Sequence, residues 1–226
     1  DPLRRNAHWR TIQFVLQNFF CFWLRYRARG IENLPASGGA LLLVNHQSFL
    51  DPLLVGLPLT RPVSFLARDS LFRIPVIGYI LRNTYVMPIN RESANTASLR
   101  EAIRRIDAGF YVGIFPEGTR TLDGKVGEFK PGFLALMRRT TAPIIPVGIA
   151  GAFEAYPKWT PFPYPGKVRV VFGTAFDRER LESFGKADED ALLAFVHEGV
   201  AKCAHDAQAW RDGTTVAGHS AAEQTR

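Results

Sequence analysis

His46 and Asp51 are the residues of this chain whose types and spacing point most directly to chemistry. They lie in "LLLVNHQSFLD", residues 41–51, where an apolar run stops at Asn45, delivers a histidine, and five positions later a carboxylate. A turn of that length can fold the carboxylate back onto the imidazole. A carboxylate on Nδ1–H fixes the tautomer, leaves Nε2 as an acceptor and stabilises the imidazolium formed on proton capture. This is a general-base arrangement, and such groups contribute about 10²–10⁴-fold in rate. Read alone, the same residues also describe a capped turn, with Asp51 on helix N-terminal amides and His46 a surface residue.

Three further stretches carry polar groups at strand ends. In "FPEGTR" (115–120), Glu117 and Arg120 leave an apolar strand through Gly118, where glycine permits a tight turn. Arg120 and the local amides suit a phosphate; a plain turn with a surface Glu–Arg pair fits as well. In "PINRE" (88–92), Arg91 follows a strand. In "IIPVGIAG" (144–151), Pro146 interrupts a core strand and the glycines leave room beside the backbone. No G-x-S-x-G, dinucleotide fingerprint or phosphate-binding loop occurs, and no His/Cys/carboxylate cluster has metal-ligand spacing.

Alternating apolar elements must position these groups. Strands are expected at 39–45, 63–67, 85–89, 111–115, 143–151 and 167–173. Helices are expected at 48–59, 75–82, 96–109, 131–140 and 188–210, with Pro52 and Pro131 near the starts of two of them. That alternation predicts an α/β sandwich on a mixed, largely parallel sheet. In such sheets sites form where strands end, which puts 45–51, 90–92, 115–120 and 146–151 on one rim.

The 226 residues suit one domain. Residues 1–150 carry 19 Lys and Arg against 10 Asp and Glu, and 22 of the 28 cations in the whole chain are arginine. An anionic partner follows: a phosphorylated substrate, an acidic lipid surface or nucleic acid. Cys21 and Cys203 form no disulfide framework, and each is expected to be a small buried hydrophobe. Residues 12–24, "IQFVLQNFFCFWL", are the most apolar stretch, flanked by Arg10 and Arg25. Thirteen helical residues reach about 20 Å, short of the ~30 Å hydrocarbon core, and no small-residue cleavage site follows. A membrane-interfacial helix is expected, with an ordinary core helix as the alternative. The organisation reads as a membrane-interfacial segment at 1–29, a catalytic domain at 30–210 and a polar, disordered tail at 211–226.

The order and spacing of the four stretches closely resemble the 1-acylglycerol-3-phosphate acyltransferases, within the wider glycerolipid acyltransferases. That family is defined by an NHxxxxD block, here Asn45, His46 and Asp51 with Ser48; an arginine after a strand, here Arg91; FPEGTR, here Phe115 to Arg120; and a V/I-P-V strand, here Ile145, Pro146 and Val147. "FKPGFLALM", with Lys130 and Gly132, is similar to its F-K-x-G segment, whereas Asn90 stands where Asp is common. The resemblance covers residues 10–175. It implies that His46, oriented by Asp51, deprotonates the sn-2 hydroxyl of a lysophosphatidate, which attacks the thioester of acyl-CoA or an acyl carrier protein. Arg91, Arg120 and Lys130 are then the phosphate ligands. Gly118 and Thr119 supply local contacts, Glu117 orders the loop, and Pro146 has a structural or acyl-contacting place. Backbone amides near 46–48 are the expected oxyanion donors. No metal or other cofactor and no nucleic acid is expected, and the enzyme would dock on anionic lipids at the cytoplasmic face of a membrane. Another hydroxyl acceptor, or a membrane-binding protein without catalysis, are the competing readings.

Overall fold

In the computed structural model the described residues are 7–68, 72–83, 85–89, 94–157, 160 and 162–214. The run 41–44 is apolar without alternation because strand β2 (Ala40–Val44) is buried at every residue, as expected of a strand covered on both faces. The other strands are β1 (Arg27–Arg29), β3 (Val63–Arg68), β4 (Met87–Ile89), β5 (Tyr111–Ile114), β6 (Ile144–Ala150) and β7 (Arg169–Phe172). They form one seven-stranded sheet in the order β1-β7-β6-β2-β5-β3-β4. Pairs from β6 through β2, β5 and β3 to β4 are parallel, β7 is antiparallel to β6, and β1 is parallel to β7. The C-terminal ends of β2 to β6 therefore share one rim with the N-terminal ends of β1 and β7. The α/β sandwich on a mixed, largely parallel sheet is what the sequence predicts.

Helices α1 (Ala7–Trp23), α2 (Asp51–Gly56), α3 (Pro75–Asn83), α4 (Ala94–Asp107), α5 (Leu134–Arg139), α6 (Ala152–Ala155), α7 (Arg178–Glu182) and α8 (Glu189–Asp212) complete the described elements, with short 3-10 turns. On one face Leu42, Val44, Ile145 and Val147 meet Phe20 and Leu24 of the α1 segment and Leu54 and Val55 of α2. On the other, Leu41, Leu43 and Ile144 meet Ile106 of α4, Met137 of α5 and Val196 and Val200 of α8. The alternation along β2 and β6 thus splits one apolar run between two helix layers.

Several expectations shift. Arg27–Arg29, inside the expected N-terminal segment, is a strand of the sheet, paired with β7. Pro131 opens a 3-10 turn, Pro131–Phe133, ahead of α5. Cys203 is buried as expected, but Cys21 is exposed on α1. α8 ends at Asp212, past the expected boundary at 210; the rest of the expected tail from residue 215, like Arg91, lies outside the described residues.

Pro146 sits within an interior strand, where proline is unusual. Its carbonyl accepts from Gly173 N at 2.9 Å, just past Phe172, the last paired residue of β7. The donor it lacks falls where the antiparallel ladder ends. Two residues on, Gly148 lets α8 lie directly on β6: a Cβ there would stand 2.1 Å from the backbone of Cys203 and Ala204. Gly148→Ala is expected to cost about 3 kcal/mol in chemical denaturation, since backbone rather than a flexible side chain must give way. A cost under about 1 kcal/mol would show that α8 can retreat from the sheet.

Candidate active site

The site begins where β2 stops pairing. Asn45 replaces the next rungs of the ladder with its side chain: Nδ2 donates to Ile149 O at 3.0 Å, and Ile149 N donates to Oδ1 at 2.7 Å. The backbone is then released to turn, and Asp51, the first residue of α2, closes that turn. Its Oδ2 accepts from His46 Nδ1 at 2.8 Å, Gln47 N at 2.6 Å and Ser48 N at 2.7 Å. Asp51 is fully buried, and its Oδ1 has no hydrogen-bond partner among the described residues. Burial pushes its pKa up, against the opposing pull of the imidazole and the two amides.

His46 is held on three sides. Its ring stacks on Phe115 with centroids 3.9 Å apart, and Phe115 stacks in turn on Phe65 at 5.2 Å. Its backbone N donates to Glu117 Oε1 at 2.7 Å, and its carbonyl accepts from Thr121 N at 2.8 Å. With Nδ1–H given to Asp51, the proton-accepting position is Nε2, on a side chain 18% exposed. The carboxylate therefore meets the imidazole and the amides of the turn ahead of α2, and it caps no amide of the helix itself.

Glu117 is a buried staple, as the expectation that it orders its loop requires. It spans His46 N and, through Oε2 at 3.0 Å, Gly127 N. Burial raises its pKa, with the nearby Asp51 carboxylate adding to the rise against the two amides. Gly118, at φ 66°, makes the turn beside it, and its N donates to Phe115 O at 3.0 Å. A Cβ there would come within 3.3 Å of Lys130, so Lys130 lies against the FPEGTR loop. Thr119 is exposed. The Arg120 guanidinium lies over the Phe49 ring at 3.6 Å, which joins the two motifs again.

The third stretch is joined by the Asn45–Ile149 bonds, and the start of α6 just after it by Gln47, which sequence reasoning gave no role. Its Nε2 donates to Gly124 O at 2.8 Å, and its Oε1 accepts from Ala152 N and Phe153 N at 3.1 and 3.3 Å. Ser48 Oγ donates to Tyr156 O at 3.1 Å. Stretches 45–51, 115–120 and 146–151 thus meet on the rim. The signal for Gln47 was a buried-looking position carrying an amide side chain, but its partners lie 77 and 105 residues away. Pro146 contributes from below: it is buried, and its contacts are Gly173 and Cys203. One expectation fails. The amides of His46, Gln47 and Ser48 are all taken by Glu117 and Asp51, so they are not the oxyanion donors. Among the described residues no group of three or more His, Cys, Asp or Glu side chains could hold a metal ion.

Residues 25–150 match the family model described as Acyltransferase. The chain is 31% identical over 160 residues to "1-acyl-sn-glycerol-3-phosphate acyltransferase LPAT1, chloroplastic" of Arabidopsis thaliana, which covers 70% of this chain and 45% of that protein. It is 32% identical over 180 residues to the 1-acyl-sn-glycerol-3-phosphate acyltransferase of Pseudomonas aeruginosa, covering 74% of this chain and 68% of that one. The crystal structure of the 1-acyl-sn-glycerophosphate acyltransferase PlsC from Thermotoga maritima superposes with a TM-score of 0.69 at 28% identity, covering 92% of this chain and 85% of that one. The chain belongs to the Acyltransferase family, among the 1-acyl-sn-glycerol-3-phosphate acyltransferases. It spans less than half the length of the Arabidopsis relative.

The raised pKa of Asp51 separates its chemical from its structural value. Because the folded pKa lies above the unfolded one, the ionised form is the costly one: the penalty is complete above the folded pKa and is relieved as pH falls through it. Asp51→Asn is therefore expected to keep or raise the melting temperature at pH 8 while lowering kcat by about 10³-fold, as should His46→Ala. A melting temperature lowered by several degrees with activity retained would make Asp51 a structural residue instead.

Proposed function

We propose that the protein transfers a fatty acyl group from the thioester of acyl-CoA or an acyl carrier protein to the sn-2 hydroxyl of 1-acylglycerol-3-phosphate, giving phosphatidate. The observation that carries this reading is the His46–Asp51 pair, bonded at 2.8 Å and joined through Glu117 to the loop that bears Arg120. The activity for which the Arabidopsis and Pseudomonas relatives are named supports the same acceptor.

His46 Nε2 takes the hydroxyl proton as the oxygen attacks the thioester carbonyl. The C–O bond forms, and the carbonyl electron pair moves onto oxygen. Asp51 stabilises the imidazolium through the Nδ1 bond. Collapse re-forms the carbonyl and expels the thiolate, which takes the proton back from His46. The ester and the free thiol leave, and His46 returns to its starting state. The step needs no acyl-enzyme, metal or other cofactor. Arg120, with Lys130 near Gly118 and Arg91, holds the phosphate. Stacking on Phe49 occupies the guanidinium face and orients the in-plane donors that pair with phosphate oxygens.

The phosphate assignment is tested by acceptor choice. A charge-assisted contact to phosphate is worth about 1.5–3 kcal/mol, and lysine lacks the planar fork. Arg120→Lys is expected to lower kcat/KM for lysophosphatidate about 10–100-fold while leaving slow turnover of uncharged monoacylglycerol little changed. Equal loss on both acceptors would make Arg120 a holder of the loop and direct the search to non-phosphorylated alcohols.

The lipid substrates place the protein at a membrane surface, on the cytoplasmic face in this reading, with α1 as the docking helix. Among the described residues no helix is long and apolar enough to cross a membrane. The outward face of α1 carries Phe14, Val15, Phe19 and Phe22, with Phe22 85% exposed. Its inward face sets Phe20 in the core and gives Gln17 Nε2 to Leu57 O at 2.8 Å. A helix that turns Gln17 inward and Phe14, Phe19 and Phe22 outward suits a lipid interface better than water. Replacing Phe14, Phe19 and Phe22 by serine is expected to release the protein from lipid vesicles while turnover of dispersed short-chain substrate is retained. Unchanged vesicle binding would refute α1 as the anchor.

A further inference from the structure

The exposed apolar side chains beyond α1 are not scattered. Phe49 and Leu122 follow β2 and β5, Ile74 and Tyr79 follow β3, and Phe162 and Tyr164 precede β7. Each of these segments meets the sheet at the rim that carries His46. The last pair is the most unusual, because it lies in "FPYPGK" (162–167), where aromatic residues alternate with prolines that fix φ. Phe162 is 76% exposed.

This loop is fastened to the end of α1. Trp23 Nε1 donates to Pro163 O at 3.2 Å, and Gly166 N donates to Trp23 O at 3.2 Å. Between the two segments lies an open cleft of about 650 Å³, lined by Phe22, Trp23, Arg25, Pro165 and Lys167 among others. Arg25 and Lys167 are exposed, and no acidic side chain lines the cleft among the described residues. Aromatic tips beside unopposed cations, continuous with the apolar face of α1, match the layered chemistry of an anionic bilayer surface: hydrocarbon below, phosphate above. A protein partner would be expected to meet carboxylates or a polar rim here as well.

We propose that the Phe162–Lys167 loop is a second membrane-docking element, which inserts Phe162 and Tyr164 into the interfacial layer of an anionic phospholipid bilayer while Arg25 and Lys167 hold a lipid headgroup phosphate in the cleft beside α1. The proposal rests on the reading of α1 as a membrane-docking helix. A single helix lying on a bilayer leaves the domain free to roll about the helix axis. A second contact, rigid through its prolines and bonded to Trp23, removes that freedom and turns the rim with His46 toward the lipid.

The test is sedimentation with phosphatidylcholine vesicles, with and without phosphatidylglycerol. Phe162→Ser with Tyr164→Ser is expected to weaken binding to both kinds of vesicle about tenfold or more. Arg25→Gln with Lys167→Gln is expected to erase about tenfold of the preference for phosphatidylglycerol and leave binding to the neutral vesicles unchanged. Turnover of dispersed short-chain substrate, which does not use these residues, should stay at the wild-type level in both. An independent reading comes from a polarity-sensitive dye on Tyr164→Cys in a Cys21→Ser background, Cys203 being buried. Its emission should shift to the blue with vesicles, and an unshifted emission overturns the proposal whatever the other variants do. If both loop and cleft variants bind as wild type while the α1 serine variant detaches, this proposal falls and the α1 reading stands. If all three bind as wild type, both fall.

Discussion

One carboxylate oxygen holds the site together. Asp51 Oδ2 collects the imidazole Nδ1 and the amides of Gln47 and Ser48, all within 2.8 Å. These three bonds explain the spacing of the motif: the loop 46–50 is just long enough to bring the first residue of α2 back under the ring. The same three bonds are what offset the burial of a full charge, which is costly unless the carboxylate is well paired. Its pKa is still raised, so the fold carries a net penalty at this point. The buried, continuous strands around it make that tolerable. β2 is enclosed at every residue, and both of its faces pack against helices.

Around that oxygen the rim is sewn by side chains where sheet pairing ends. Asn45 joins β2 to β6, Glu117 joins the β2 and β5 loops, and Gln47 ties both to the start of α6. These bonds divide the motif residues by role. Asn45, Gln47, Asp51, Glu117 and Gly118 form the frame. His46, Thr119, Arg120 and Lys130 are the partly or fully exposed side chains carried on it. Burial and the nearby Asp51 carboxylate raise the proton affinity of Glu117, which has both oxygens on backbone amides. It is therefore a frame residue despite its acidic chemistry, whereas His46 gives Nδ1 to Asp51 on a side chain that stays 18% exposed.

Much of this was readable in the sequence because it is local. The strands at 40–44 and 111–114 are continuous apolar runs, 144–150 is apolar on both sides of Pro146, and α4 and α8 carry helical periodicity. The His46–Asp51 contact spans five residues, so the spacing alone poses it. What could not be read depends on long-range pairing. The assignment of the 46–48 amides to an oxyanion failed because Glu117, 71 residues on, claims the first of them. β1 is three residues long, two of them arginine, and gains its strand character only from β7. The composition of α1 announced an apolar helix but not its rotation. Gln17 turns inward because Leu57 offers a carbonyl there, and Cys21 turns outward with the phenylalanines. Pro146 likewise looks like a break in β6 until the end of the β7 ladder is seen beside it.

The central claim is that Asp51 fixes His46 with its proton on Nδ1 and its lone pair on Nε2. Nitrogen-15 NMR of the His46 imidazole, in the resting protein at a pH where the ring is neutral, tests it most directly. The expected spectrum shows a protonated Nδ1 bearing a downfield, slowly exchanging proton and an unprotonated Nε2. That downfield proton should disappear in Asp51→Asn. A resting histidine protonated at Nε2, or a wild-type spectrum retained without the carboxylate, would contradict the account.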